Sequence, residues 1–345
     1  MVSISTPKTS QDIEILLNFY LASAAVGVAL ELGLFWQLRD SSLKLTEISD
    51  KFKIPEDRCR TWLALLIKLG LVTLQGERYF PSGASKQAIT DVYSHETWSF
   101  LAQEAREQQP AVIDLALHFS QASMWEAYSK EAPNYVTLMK NDAQRAERFT
   151  RMLYELHTPL AEFLAKNLNL SGVNMLMDLG GGSGVISIEL MKQNRDLNVI
   201  VVDIANVCTA GRRIANETSV SDRITYFEAD FLHDELPRDI DLVLECDVGV
   251  YTLDLFKKVL NSLNTNGRFI IVSNTDELGA WLLKPKESVS ILPCMFAFSS
   301  SLRDPKFKPP TINHVKNLLE EAGFQDINVQ IEDDGRVIIE GMKGG

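Results

Sequence analysis

Several things are scarce in this chain of 345 residues. Only four cysteines occur, Cys59, Cys208, Cys246 and Cys294, with no C-x-x-C pair and no histidine beside them at metal spacing. That excludes a disulfide framework and gives no zinc-site pattern, so no metal is expected, and a reducing, cytoplasmic compartment is. Positive charge is short as well, with 34 Lys and Arg against 46 Asp and Glu and a net charge of −12. A protein built to neutralise nucleic-acid phosphates would carry the opposite balance, so nucleic acid is not an expected partner. Uninterrupted apolar runs are missing too. The nearest, residues 20–38, holds Glu31 in its middle along with Gly27 and Gly33, and reads as a buried helix pair rather than a membrane span. The chain opens on a short polar stretch without a basic-then-apolar leader, and no internal repeat or low-complexity segment follows.

What is present is organised around Leu176-Met177-Asp178-Leu179-Gly180-Gly181-Gly182-Ser183-Gly184. This reads as a buried strand turning through glycines into a helix that starts near Val185. The open N–H groups and positive dipole end of that helix would face the turn, which favours a negatively charged group there. A dinucleotide fingerprint needs a third Gly or Ala, but its place falls on Val185 or Ser187. A carboxylate, Asp178, stands two residues before the first glycine instead. It would repel a pyrophosphate and suit a ligand that brings an ammonium or sulfonium together with its own carboxylate. S-adenosylmethionine carries those groups.

The next strand, 197–202, ends on Asp203, about 20 residues past the turn, where a doubly wound sheet places the acid that binds ribose hydroxyls. A third strand, 224–228, leads to Asp230 and Phe231, an acid and a ring suited to the amino group and face of adenine. Further strands are expected at 241–246 and 267–272, a helix at 312–322, and a closing hairpin at 327–331 and 336–340.

With D-L-G-G-G-S-G, V-V-D-I, A-D-F and D-L-V-L in order, residues 170–272 resemble the class I S-adenosylmethionine-dependent methyltransferases. Nearly the whole chain is similar to the small-molecule O-methyltransferases of the plant caffeate and bacterial polyketide type. The resemblance implies an α/β fold, a doubly wound, mostly parallel Rossmann-like sheet with an antiparallel last strand, behind a mainly helical N-terminal winged-helix domain. It implies a dimerisation domain over 1–95, a helical linker and substrate-pocket region over 96–165, and a cofactor domain over 166–345. Helices are expected at 12–26, 28–38, 45–53, 56–69 and 144–168, with two wing strands at 70–74 and 78–80. The helix that would meet DNA in a regulator, 56–62, mixes Glu56 and Asp57 with Arg58 and Arg60 and has no basic cluster.

The site implied by the resemblance holds S-adenosyl-L-methionine through Asp178, Gly180, Gly182, Asp203, Asp230, Phe231, Cys246 and Arg151, with Arg148 as an alternative to Arg151. Trp125, Met152, Met295 and Phe298 line the pocket for a small, partly apolar acceptor. Partners are that acceptor and a second copy of the chain, with no membrane. The family's general base, a histidine after the fourth strand, falls on Val250 here, and the carboxylate that orients it is missing after Val272. Three readings stay open: methyl transfer with a relocated base, His157 or Asp247; transfer to an already nucleophilic N, C or carboxylate by proximity alone; and a cofactor-binding protein that does not methylate.

Overall fold

The computed structural model describes residues 7–345 except 109–111, 113–114, 121–134, 274–290, 304–310 and 333–334. The chain divides into two units, Met1–Leu117 and His118–Gly345.

In the first unit, Thr9 and Asp12 cap each other's backbone to start the helix Ser10–Leu17. Helices Phe19–Glu31 and Leu34–Asp40 follow, then Leu45–Phe52 and Glu56–Lys68. A small antiparallel sheet in the order β1 (Leu43–Lys44), β3 (Arg78–Pro81), β2 (Val72–Gln75) flanks them, and the helix His95–Gln108 comes after. The expected break at Gly27 is not there. The chain breaks instead at Asn18, whose side chain takes the Glu14 carbonyl at 2.8 Å, and at Gly33, whose φ of 72° only glycine adopts cheaply.

The expectation of a buried pair over 20–38 holds only for its second half. Ala29, Leu30, Leu34, Phe35 and Leu38 are buried with Ile48, Leu63 and Leu66, whereas Leu17, Tyr20 and Leu21 are 72%, 62% and 52% exposed. Among the described residues no single helix is long and apolar enough to cross a membrane. The pair Ser10–Leu17 and Phe19–Glu31, bent by 42°, passes that test by length and composition alone.

The second unit carries a seven-stranded sheet in the order β6-β5-β4-β7-β8-β10-β9. The strands are β4 (Met175–Leu179), β5 (Asn198–Asp203), β6 (Ile224–Glu228), β7 (Ile240–Cys246), β8 (Leu263–Ser273), β9 (Phe324–Ile331) and β10 (Val337–Lys343). β4 to β8 run parallel, and β10 runs antiparallel to both β8 and β9. Both faces are covered, so these strands read as continuous apolar runs.

Alternate residues feed two cores. Leu176, Leu242, Leu244, Ile270 and Val272 pack under the helices Ala143–Asn167, Val185–Gln193 and Ala205–Ala215. Met177, Val243, Phe269 and Ile271 pack against the helices Leu253–Ser262 and Ile312–Ala322. Each fully buried side chain of this size contributes roughly 1.5–3 kcal/mol. β4 pairs with β5 on one side and β7 on the other, so chain order reverses at β4 and a crevice opens outside the strands' carboxyl ends.

Candidate functional site

The crevice is built on the glycine turn. Gly180, Gly182 and Gly184 have φ of 70°, 54° and 73°, and their surroundings differ. A Cβ on Gly180 would stand 2.5 Å from Val248 Cγ2, one on Gly181 would strike the Asp178 carboxyl, and one on Gly184 would lie 2.7 Å from the Tyr226 hydroxyl. One on Gly182 would meet nothing within 4 Å. The turn is packed tight everywhere except above Gly182, where the backbone borders open space. Gly184 starts the helix Val185–Gln193 and has no side chain to cap it, while the Val185 N–H donates to the Ser183 hydroxyl at 3.3 Å.

Acids end the three adjacent strands. Asp178 is buried and accepts the Ser187 hydroxyl at 2.6 Å. Burial raises its pKa to about 6, against that bond and with a smaller push from Asp203. Asp203 accepts N–H from Gly182 at 3.0 Å and from Ile204 at 2.8 Å, which ties the end of β5 to the turn. Burial lifts it to about 6 as well, opposed by those two bonds.

Asp230 accepts Lys140 Nζ and His233 Nδ1, both at 3.3 Å. Its burial acts upward, but the His233, Lys140 and Leu232 bonds outweigh it and hold the carboxyl below its ordinary range. Phe231 Cε1 would lie 3.6 Å from a Cβ on Gly180, so the ring reaches the turn. Asp178, Gly180, Gly182, Asp203 and Phe231 are thereby brought together.

The expected helical linker includes the short helix Tyr135–Asn141, whose bounds the irregular pattern of that stretch did not give. It is pinned by Asn206, whose amide donates to the Met139 and Lys140 carbonyls at 2.8 and 3.1 Å, and its Lys140 reaches Asp230. The Tyr135 ring packs on Phe149 with centroids 5.4 Å apart. Met139, Ala146, Ile204 and Val207 form a small core under it.

At the carboxyl ends of β7 and β8 lies a cavity of about 250 Å³, lined by Leu156, His157, Leu160, Asp247, Ser273 and Arg336 among others. His157 Nε2 stands 4.0 Å from Asp247 Oδ2. Burial lowers the His157 pKa, with Asp247 acting the other way, so the ring is neutral near pH 7 and has a lone pair to offer. Burial raises Asp247, opposed by His157 and Arg336. The Arg336 guanidinium lies 4.0 Å over the Phe163 ring. Cys246, half-buried, ends β7 beside Asp247. Val250, in the expected base position, is partly buried and offers no proton acceptor.

The remaining expected residues fall elsewhere. Both terminal nitrogens of Arg151 donate to Glu217 at 2.8 Å, two residues past the helix that starts beside Asp203 and about 16 Å long. Met152 is buried in the helix Ala143–Asn167 and does not line the cavity. Met295 and Phe298, on the helix Ile291–Arg303, are 55% and 47% exposed and do not line it either. Phe298 faces Phe119 at 6.3 Å between centroids. Trp125 lies outside the described residues. Among the described residues, no group of three His, Cys, Asp or Glu is arranged to hold a metal ion.

Glu245 was missed. It is buried at 2% exposure inside β7, and the signal was in the sequence: an acid within the run Leu242-Val243-Leu244. Its Oε1 accepts N–H from Val248 at 2.8 Å and Gly249 at 3.0 Å, while its buried Oε2 has no partner among the described residues. Burial raises this carboxyl to about 8, opposed by those bonds and assisted by Asp247 and Asp178.

A strand order with one reversal, an antiparallel last strand and an acid-lined glycine turn define a Rossmann-like fold of the methyltransferase class. The model of the O-methyltransferase domain matches residues 98–325, and the chain belongs to that family. It is 31% identical over 217 residues to the 3-hydroxy-5-methyl-1-naphthoate 3-O-methyltransferase of Streptomyces sahachiroi, covering 63% of this chain and 61% of that one. It is 24% identical over 218 residues to the N,N-dimethyltransferase OxyT of Streptomyces rimosus, 63% of each. The matched region thus spans about six-tenths of these curated relatives. Among solved structures, human N-acetylserotonin methyltransferase in complex with SAM matches with a TM-score of 0.77 at 18% identity, covering 100% of both chains. PigF with SAH matches with a TM-score of 0.82 at 17% identity, covering 97% of this chain and 100% of that one. These two likenesses are of fold.

Proposed function

We propose that this chain is an S-adenosylmethionine-dependent methyltransferase that methylates an oxygen of a small, partly apolar molecule. The observation that carries the reading is the set of acids at 178, 203 and 230, closing three adjacent strands around a glycine turn that is open only above Gly182. That opening, beside Asp203 and the helix start at Gly184, fits S-adenosylmethionine. Asp203 takes the ribose hydroxyls, Asp230 and Phe231 take the adenine, and Asp178 faces the ammonium side. The helix Val185–Gln193 receives the carboxylate at its N-terminus. Cys246 ends β7 on the sulfonium side. Bound there, S-adenosylmethionine supplies a methyl group on a good leaving group.

The cavity lined by His157, Asp247 and Arg336 receives the acceptor. Neutral His157 takes the proton of the acceptor hydroxyl, and Asp247 orients the ring and stabilises its charged form. Arg151, paired with Glu217, stabilises the surface of the helix pair in this reading rather than the cofactor. The relatives named as N- and C-methyltransferases, together with Val250 in the usual base position, support a second reading in which an already nucleophilic acceptor needs no base.

The first unit is proposed as a winged helix that pairs two copies of the chain through the exposed Leu17, Phe19, Tyr20 and Leu21. Its Arg60, ion-paired to Glu56, is poorly placed for phosphate binding. The free thiols, with Cys59 and Cys208 buried, suit the reducing cytoplasm.

The test is to incubate the protein with methyl-labelled S-adenosylmethionine and a panel of small aromatic hydroxyl compounds, amines and carboxylic acids. Label on a hydroxyl product together with equimolar S-adenosylhomocysteine is expected. Label only on amines would favour the second reading, and substrate loss without S-adenosylhomocysteine would overturn both.

A further inference from the structure

Glu245 lies below the two halves of the site and is tied to both. Its Oε1 accepts two successive N–H groups, from Val248 and Gly249. The loop it grips is held in an unusual shape, since Asp247 and Gly249 have φ of 56° and 71°. An aspartate at positive φ persists where its surroundings impose it. Two contacts impose it here: the Glu245 bonds, and the Asp247 N–H donated to the Val272 carbonyl at 3.1 Å. From this loop, Val248 packs onto Gly180 of the glycine turn, and Asp247 projects toward His157 at 4.0 Å.

We propose that Glu245 is a positioning residue, which holds the loop 247–249 and thereby sets Asp247 against His157 at the acceptor cavity. It touches neither the cavity nor the open space above Gly182, so its action passes through the loop. The inference rests on the reading of that cavity as the acceptor site only for its catalytic meaning. The geometry it asserts is testable without cofactor or acceptor.

A carboxyl suits the task because a single oxygen can accept both N–H groups while the other oxygen carries a proton. The raised affinity of this buried group for its proton, in the fields of Asp178 and Asp247, is consistent with that state near neutral pH. Glutamine offers the same accepting oxygen and no ionisation. Leucine fills similar space and offers no acceptor.

The readout is the titration of His157, followed by NMR of the histidine ring C–H signals in the full-length protein. The chain has five histidines, and the His157 signal is the one lost in His157→Gln. The charged groups facing His157 across the cavity are Asp247 and Arg336, of which Asp247 raises its pKa. In Glu245→Leu the loop relaxes, Asp247 leaves, and the His157 pKa falls by about one pH unit. In Glu245→Gln it stays at the wild-type value.

A wild-type His157 titration in folded Glu245→Leu would overturn the proposal, as would a fall in Glu245→Gln equal to that in Glu245→Leu. Should Glu245→Leu not fold, Gly249→Ala moves the same loop from outside the core, because a Cβ there meets nothing within 4 Å and only the positive φ opposes it. The same downward shift is expected, and its absence would overturn the proposal. Failure to bind S-adenosylhomocysteine, by contrast, would sink the functional reading and leave this geometry standing.

Discussion

The two halves of the sheet's carboxyl edge differ in how they are made. On the β4–β5–β6 side, the groups belong to strand ends or to the turns beside them and short bonds fix them: Asp203 by the Gly182 and Ile204 N–H groups, Gly180 by the Val202 carbonyl at 2.8 Å, Asp178 by the Ser187 hydroxyl, and Asp230 in part by Lys140 from farther off. On the β7–β8–β10 side, the groups converge from distant parts of the chain. His157 comes from the helix Ala143–Asn167, Asp247 from the end of β7 and Arg336 from the start of β10, around open space. In the proposed reading, a binding half built largely at strand ends stands beside a reacting half assembled from afar. The first is packed tight around its turn, and the second surrounds open space.

The strongest way to break this comparison is to remove the proposed base. His157→Gln should lower methyl transfer by about 100- to 10,000-fold while S-adenosylhomocysteine affinity stays within about threefold. This is checked by steady-state kinetics on the acceptor found in the label screen, alongside calorimetry. An unchanged rate would assign the reacting half to proximity alone and erase the need for a base there.

The binding half is sharpened by two neighbouring glycines. Gly180→Ala puts a Cβ 2.5 Å from Val248 at a φ of 70°, so thermal unfolding should show a loss of roughly 2–4 kcal/mol from overpacking and backbone strain combined. Gly182→Ala adds its Cβ to open space and incurs only the backbone strain, about 1–2 kcal/mol. Its larger effect should be on ligand affinity, read by calorimetry, because that space is where the proposed function puts the ligand. Equal loss of stability in both variants would mean the opening above Gly182 is not real.

The most gradual effect concerns pH. Glu245 has a folded pKa of about 8, above its ordinary value near 4.5, so between those values the folded state binds more protons than the unfolded one. Its contribution to stability is fully present below about 4.5 and is lost as the pH rises toward 8. The slope is on the order of 1 kcal/mol per pH unit. Asp178 and Asp203, at about 6, act in the same direction but finish earlier. Denaturant unfolding should therefore show wild-type stability declining between pH 6 and 8, and Glu245→Gln declining less. Parallel curves would place an ionised carboxylate at 245.

The same contrast explains what was legible in the sequence. Strand ends, the glycine turn and the acids of the binding half came out at or within a residue or two of their positions, because apolar alternation and glycine spacing are local signals. The division within the helix Phe19–Glu31, exposed at Phe19, Tyr20 and Leu21 and buried at Ala29 and Leu30, was not legible, since an apolar composition does not say which part of the same chain covers it. Arg151 was placed at the cofactor by the resemblance, and its pairing with Glu217, 66 residues later, is not readable from helix position. His157 and Asp247 were each expected at the cofactor's sulfonium end, and the fold adds their 4.0 Å approach and the cavity they line with Arg336. Glu245 was visible as an acid in an apolar strand, yet only the fold shows the two N–H groups it holds.

The most direct test is calorimetric titration of the full-length protein with S-adenosylhomocysteine, repeated with Asp203→Ala. Hydrogen bonds from a carboxylate to two ribose hydroxyls are together worth about 3 kcal/mol, so one-site binding in the wild type and an affinity about 100-fold weaker in the variant are expected. No binding in the wild type, or equal binding in both, would contradict a nucleoside held across the carboxyl ends of β4, β5 and β6.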